Sequence, residues 1–221
     1  MVEKLELSVI EKKPELIDGA KGIITLSGMS GSGKTTVERL LTGSTTNMGR
    51  VISHTTRAPR PNEVIEGPER AYYFSTDEEF DALAKIEYTE FNGFRYCVAE
   101  QEIFRLVNDG FEMVVIVCDY NGVPHVYDWC QKNNFWYLPC YFDVPLHACA
   151  TRIIERSPLN DQAILPALRR IGHLADEYSL FKRLRSEFEM LEIVNTAGPR
   201  NCVSIIHGVV RELLCHNQIK F

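Results

Sequence analysis

Two kinds of block alternate along this chain: short apolar runs rich in β-branched residues, and longer stretches with apolar residues at helical spacing. Ile23 to Ser27 is a short apolar run ended by Gly28 and predicts a buried strand, and Lys34 to Gly43 follows as a helix closed by Gly43. Arg50 to Thr56 predicts a second short strand. Val98 to Gly110 reads as an amphipathic helix stopped by Gly110, and Phe111 to Cys118 is the strongest strand pattern in the chain. Gly122 to Asn133 predicts a helix. Tyr137 to Val144 predicts a strand in which Pro139, lacking a ladder N–H, has to sit at the start or on an edge. Pro145 opens a helix that runs to Arg156, residues 157–164 interrupt, and one long helix spans Leu165 to Met190. Leu191 to Asn195 is a last strand and Arg200 to Cys215 a closing helix. Strands alternating with helices make an α/β protein whose parallel sheet is covered on both faces. Between Arg57 and Tyr96 the pattern turns irregular. Pro59, Pro61, Gly67 and Pro68 precede the aromatic pieces YYF and FNGFRY, which predicts an inserted, partly β lobe.

Composition narrows the function classes. A chain of 221 residues is long enough for one α/β domain with a full core. A formal net charge of −6 argues against broad nucleic-acid binding, which needs a basic face, so any phosphate bound here is held by a few placed cations. The stretch before the first strand is charged and lacks the apolar core of a signal peptide, and no apolar run is long enough to span a membrane. A cytoplasmic protein is expected. The seven cysteines are scattered and never spaced C-x-x-C, which fits reduced, buried thiols better than a disulfide frame or a zinc site.

The bend between the first strand and the first helix carries the clearest chemistry. Gly28-Met29-Ser30-Gly31-Ser32-Gly33-Lys34-Thr35 fits G-x-x-x-x-G-K-[ST] in the strand–loop–helix context that pattern requires. Its glycines let successive N–H groups turn inward around a β-phosphate, and the helix N-terminus adds positive dipole. Gly28, Ser30, Gly31, Ser32, Gly33, Lys34, Thr35 and Thr36 are the expected nucleotide contacts. Lys34 reaches the β- and γ-phosphates, and the Thr35 hydroxyl is the expected Mg²⁺ ligand. This much leaves ATP or GTP open, and equally a kinase, an ATPase, a GTPase or a translocation motor.

A second cluster separates these. Arg57 and Arg60 are flanked by Ser53, Thr55 and Thr56 in a proline-rich segment, and two guanidinium forks at fixed separation suit one dianionic phosphate. Alone, the segment would read as a solvated basic loop. RVISHTTRAPRPNEV, followed by YYF and then IEYTEFNGFRY, resembles the nucleoside-monophosphate-binding region of guanylate kinases, and the likeness keeps the motif order from about Ile23 to about Asn195. The resemblance implies a P-loop kinase fold with a small nucleotide-binding lobe and a helical lid. It implies that Ser53 helps read the base, that Arg57 and Arg60 clamp the acceptor phosphate with Tyr72 and Tyr96, and that Glu87 and Asp119 accept from guanine N1 and the 2-amino group. It further implies Arg152 and Asn195 on the ATP side, and Arg156 and Arg170 as lid arginines that act with Lys34 and Arg57 on the transferred phosphoryl group.

The expected organisation is an N-terminal extension (1–21), a P-loop core (22–52 and 99–221, with the lid at about 156–170) and an acceptor lobe (53–98). The expected activity is ATP- and Mg²⁺-dependent phosphorylation of GMP or dGMP, with the monomer-or-homodimer question open. Several features depart from the family. Cys97 and Val98 stand where the family has Gly and then a Ser or Thr whose hydroxyl donates to guanine O6. Val117 replaces an acid near the Mg²⁺ shell. The lobe is a few residues shorter before Glu87, which makes Glu90 the runner-up for the base-reading acid. The alternatives are a kinase for another nucleotide such as dTMP or dUMP, or for a phosphorylated sugar, and a guanylate-kinase-like protein-binding module without catalysis.

Overall fold

The computed structural model describes residues 21–44, 47–60, 63–91, 93–157 and 161–216, so nearly all of the expected N-terminal extension lies outside the described residues. The chain enters along β1 (Gly22–Gly28), turns through the glycine-rich loop into α1 (Lys34–Ser44), and forms β2 (Met48–Arg50). It then leaves for a separate small sheet made of β3 (His54–Thr55), β4 (Tyr73–Phe74), β5 (Lys85–Phe91) and β6 (Phe94–Ala99), with the short helix α2 (Asp77–Asp81) beside it. After α3 (Glu100–Asn108) it returns as β7 (Met113–Val117), α4 (Gly122–Asn133) and β8 (Trp136–Asp143). Helices α5 (Leu146–Glu155), α6 (Asp161–Gly172) and α7 (Leu174–Glu187) follow, then β9 (Leu191–Val194) and α8 (Pro199–His216).

The main sheet has the order β2-β7-β1-β8-β9 and is parallel throughout. Alternate residues of β1 face opposite ways, so Ile23 packs with Val123, Val126 and Phe181 on one side, while Ile24 and Leu26 pack with Val37, Leu41 and Ile206 on the other. Both faces are therefore dry, as a parallel sheet requires. The glycine-rich loop lies at the C-terminal end of β1, where ligands of parallel α/β sheets bind.

Five expectations are corrected. Arg50 to Thr56 is two strands: Arg50 pairs with Val115 in the main sheet, whereas His54 and Thr55 pair with Cys97 and Tyr96 in the small one. Between them the Ile52 N–H donates to the buried Glu102 carboxylate instead of a strand. Val98 and Ala99 end β6, so the expected helix starts at Glu100. Residues 161–164 are already helical, and the long helix breaks at His173 into α6 and α7. Pro139 sits inside β8, between β1 and β9 in the sheet order. The Trp136 N–H donates to Lys21 on the β1 side, so by alternation position 139 faces the other way. There β9 pairs only from Cys140 onward, and no ladder N–H is wanted at Pro139.

Candidate functional site

Three glycines bend the loop. Gly28, Gly31 and Gly33 have φ of 144°, 81° and 99°. A Cβ at Gly31 would lie 2.6 Å from the backbone carbonyl oxygen of Cys149, and one at Gly33 would lie 2.5 Å from the side-chain Nδ2 of Asn195, so crowding as well as conformation favours glycine at both. The loop is tied from behind through its carbonyls. Asn195 Nδ2 donates to Ser32 O at 2.8 Å, and Arg152 donates to Gly31 O and Ser32 O at 3.4 Å and to Asn195 O at 2.9 Å. The structure thus places Arg152 and Asn195 as braces of the loop, with Asn195 Oδ1 buried and lacking a partner. Lys34 Nζ donates to Gly28 O at 2.5 Å and Met29 O at 3.0 Å. Burial lowers its ammonium to about 8, against the attraction of Glu177. Thr35 and Thr36 are exposed on the first turn of α1.

Around Arg57 and Arg60 the structure adds an unexpected carboxylate. Arg57 is buried at 8% exposure, and its two Nη atoms donate to Glu63 at 2.9 and 2.8 Å. Its guanidinium also lies over the Tyr72 ring at 5.3 Å. Arg60 is 67% exposed and meets the same Glu63 at 3.9 Å, and its backbone N–H donates there at 2.8 Å. The rings of Tyr72 and Tyr96 touch edge to face at 5.8 Å. Ser53 lies half-buried just before β3, its carbonyl accepting from the Tyr73 N–H. His54 stacks on Tyr73 at 4.8 Å and pairs with Ser75, a local structural contact.

The β5–β6 register decides which acids share this face. Glu87 pairs with Val98, Tyr88 with Cys97, Thr89 with Tyr96 and Glu90 with Arg95. Side chains alternate along strands, so Glu87, Thr89, Tyr96 and Val98 project together, while Tyr88 and Arg95 turn to Phe80 of α2. Glu90 falls on that second face, exposed and accepting from the Tyr88 hydroxyl, and is separated from the cluster. Glu87 is 5% exposed, and its Oε2 is buried without a partner. Burial, then the charge of Asp119, pushes its carboxyl up to about 8. Asp119 Oδ1 accepts from the N–H groups of Asn121 and Gly122 at 2.9 and 3.0 Å, and its Oδ2 accepts from Thr89 Oγ1 at 2.7 Å. Asp119 therefore orients the start of α4 as well as lying beside Glu87.

Arg170, on α6, lies within electrostatic range of Arg60 in the lobe and of Glu177 beside the loop. Desolvation, then the charges of Arg60 and Arg156, lower its guanidinium, and Glu177 opposes them. Glu177 itself accepts the Ser30 N–H of the loop at 2.6 Å. Arg156 caps α5 and is exposed. Glu63, Thr89 and Glu177 were not singled out from the sequence. Thr89 could have been, since it lies two residues from Glu87 and so on the same strand face. Glu177 could not, because its contact is with the Ser30 N–H, 147 residues away along the chain.

Residues 20–135 match the family model described as guanylate kinase. The guanylate kinase of Neisseria meningitidis serogroup A is 29% identical over 204 residues, 87% of this chain and 95% of that protein. The Rickettsia bellii guanylate kinase is 31% identical over 148 residues, 64% of this chain and 73% of that protein. With the Wolbachia pipientis wMel guanylate kinase the identity is 35% over 116 residues, and the chain spans only 55% of that relative's length. The crystal structure of guanylate kinase from Anaplasma phagocytophilum superposes with a TM-score of 0.61 at 21% identity, covering 89% of this chain and 88% of that one, a likeness of fold. With the glycine-rich loop, the lobe and the arginine cluster arranged as described, this chain belongs to the guanylate kinase family of nucleoside-monophosphate kinases.

Proposed function

We propose that this protein transfers the γ-phosphoryl group of ATP to GMP or dGMP. The observation that carries the reading is the shared face of the small sheet: Tyr96, with Arg57 and Tyr72 against it, at one end and the Glu87–Asp119 pair at the other. A phosphate suits the first end and a base edge rich in N–H donors suits the second. ATP occupies the loop from Gly28 to Thr36, with Lys34 on its β- and γ-phosphates. Among the described residues no three His, Cys, Asp or Glu side chains converge to hold a metal. Mg²⁺ bound with ATP would be held by the Thr35 hydroxyl, exposed on the first turn of α1, together with phosphate oxygens and water, and would offset charge on the phosphates. Arg60, Arg156 and Arg170 gather charge where the phosphoryl group passes, and closure of a lid near 156–170 excludes water as a competing acceptor. The acceptor phosphate is already anionic near neutral pH, so no general base is assigned.

Among the described residues no helix is long and apolar enough to cross a membrane, and six cysteines are free and buried, which suits a reducing, cytoplasmic setting. A protein-binding module without catalysis has no need of the glycine geometry and the half-buried lysine kept here. The test is kcat/KM with Mg-ATP for GMP, dGMP, AMP, dTMP, dUMP and dCMP. Guanine nucleotides should lead, and a pyrimidine nucleotide that beats both of them by about tenfold or more would overturn the base assignment.

A pH dependence follows from Glu87. The free carboxyl, raised to about 8, holds its proton at neutral pH, whereas guanine N1–H and the 2-amino group need the carboxylate. Binding releases that proton, so GMP affinity should tighten as pH rises from about 7 and level off above about 8. The phosphate's own second ionisation, near 6, is complete there. Calorimetry in buffers of different ionisation enthalpy should show proton release. A flat or falling affinity would remove Glu87 from the base contact.

A further inference from the structure

Resting on the reading of this protein as a guanine-nucleotide kinase, we propose that Thr89 is a specificity-determining residue of the base site, reading the 2-amino group. The position expected to carry a hydroxyl, residue 98, is a fully buried valine. Thr89 stands one pair along the same ladder, opposite Tyr96, on the face that carries Glu87 and Val98. A hydroxyl has thus been lost from one strand of the hairpin and is present on the other. Its partner defines what it offers. Thr89 Oγ1 donates its single proton to Asp119 Oδ2 at 2.7 Å, so the oxygen faces any ligand with lone pairs only. Asp119 cannot swing away, because its other oxygen is held by the N–H groups of Asn121 and Gly122.

Glu87, Thr89 and Asp119 together make an edge of acceptors, with the apolar Val98 where a donor to O6 is missing. Guanine presents two adjacent donors, N1–H and the 2-amino group, to such an edge. Thymine and uracil present one N3–H between two carbonyls, and those carbonyls would face acceptors. Loss of the donor at 98 therefore shifts discrimination from O6 to the 2-amino group. The protein should tell GMP from IMP, which lacks only that group, and Thr89 should be a principal source of the difference.

The experiment compares kcat/KM for GMP and IMP in the wild-type protein and in Thr89→Val, Thr89→Ala and Thr89→Ser, with KM for ATP as an internal control. An N–H donor left unpaired in a buried site costs about tenfold or more. Thr89→Val and Thr89→Ala should therefore lower the GMP-to-IMP ratio by about tenfold. Thr89→Ser should keep the ratio within about twofold of wild type, as it retains the hydroxyl. If GMP and IMP fall by the same factor, or the ratio does not move, Thr89 does not read the 2-amino group and the proposal is overturned. A wild-type protein that phosphorylates GMP with an unmoved ratio in the variants refutes the Thr89 assignment alone. A wild-type protein that does not phosphorylate GMP refutes the kinase reading and this one with it.

Discussion

Lys34→Ala should lower turnover by about 100-fold or more while leaving the fold intact. The ammonium sits at the mouth of the loop, donating to Gly28 O and Met29 O. From there it can follow the charge that grows on the bridging and γ-oxygens, so its loss falls on the transition state more than on ground-state binding. The pH profile offers a second reading of the same residue. Burial lowers Lys34 to about 8 in the free protein, so its positive charge is full below that value and is lost as pH rises through it. ATP affinity of the wild-type protein should weaken above about pH 8, and this limb should vanish in Lys34→Ala. Circular dichroism and thermal melting exclude unfolding as the cause. Near-normal kcat in a folded Lys34→Ala protein would remove the loop from the donor site.

How much of this was legible in the sequence depends on how local each signal is. The alternation of strands and helices was legible because burial on both sheet faces writes continuous apolar runs such as Met113 to Val117. The glycine-rich loop was legible for the same reason: its function is carried by contiguous residues. What failed was partner choice. Nothing local distinguishes Arg50 from His54, yet one pairs with Val115 in the main sheet and the other with Cys97 in the small one. Pro139 resembles the marker of an edge because nothing local in the sequence encodes that β9 begins its pairing one residue later.

The site divides similarly. The loop glycines and Lys34 lie in the strand–loop–helix bend that the pattern marks, and the proposed acceptor residues rest on the family resemblance. The carboxylates that meet these cations were not. Glu63, on Arg57 and Arg60, and Glu177, on the Ser30 N–H, are ordinary acids in a charged chain until the fold sets them against the site. The resemblance puts Arg152 and Asn195 on the ATP side, and in the structure they also brace the loop's carbonyls, a duty that no spacing in the sequence encodes.

Arg57→Ala should raise the acceptor's KM and lower its kcat/KM by about 2–5 kcal/mol of transition-state binding, with ATP affinity nearly unchanged. Arg57 and Arg60 are unequal partners. Arg57 is 8% exposed and held bidentately by Glu63, whereas Arg60 is 67% exposed and 3.9 Å from it. Arg57 is thus preorganised and little screened, and Arg60→Ala should cost less. Glu63 makes the effect of Arg57→Ala larger than the loss of one cation. Although burial works the other way, hydrogen bonds from Arg57 and the Arg60 N–H hold the Glu63 carboxyl below its ordinary value, so it is charged throughout the neutral range. Without Arg57 that charge faces the incoming phosphate with its principal counter-ion gone. Adding Glu63→Gln to Arg57→Ala should therefore restore part of the lost kcat/KM, although Glu63→Gln alone loosens Arg57 and weakens acceptor binding. A double mutant as poor as Arg57→Ala alone would show that the carboxylate plays no part. An equal loss of ATP affinity would mean that donor and acceptor do not occupy separate halves of the site.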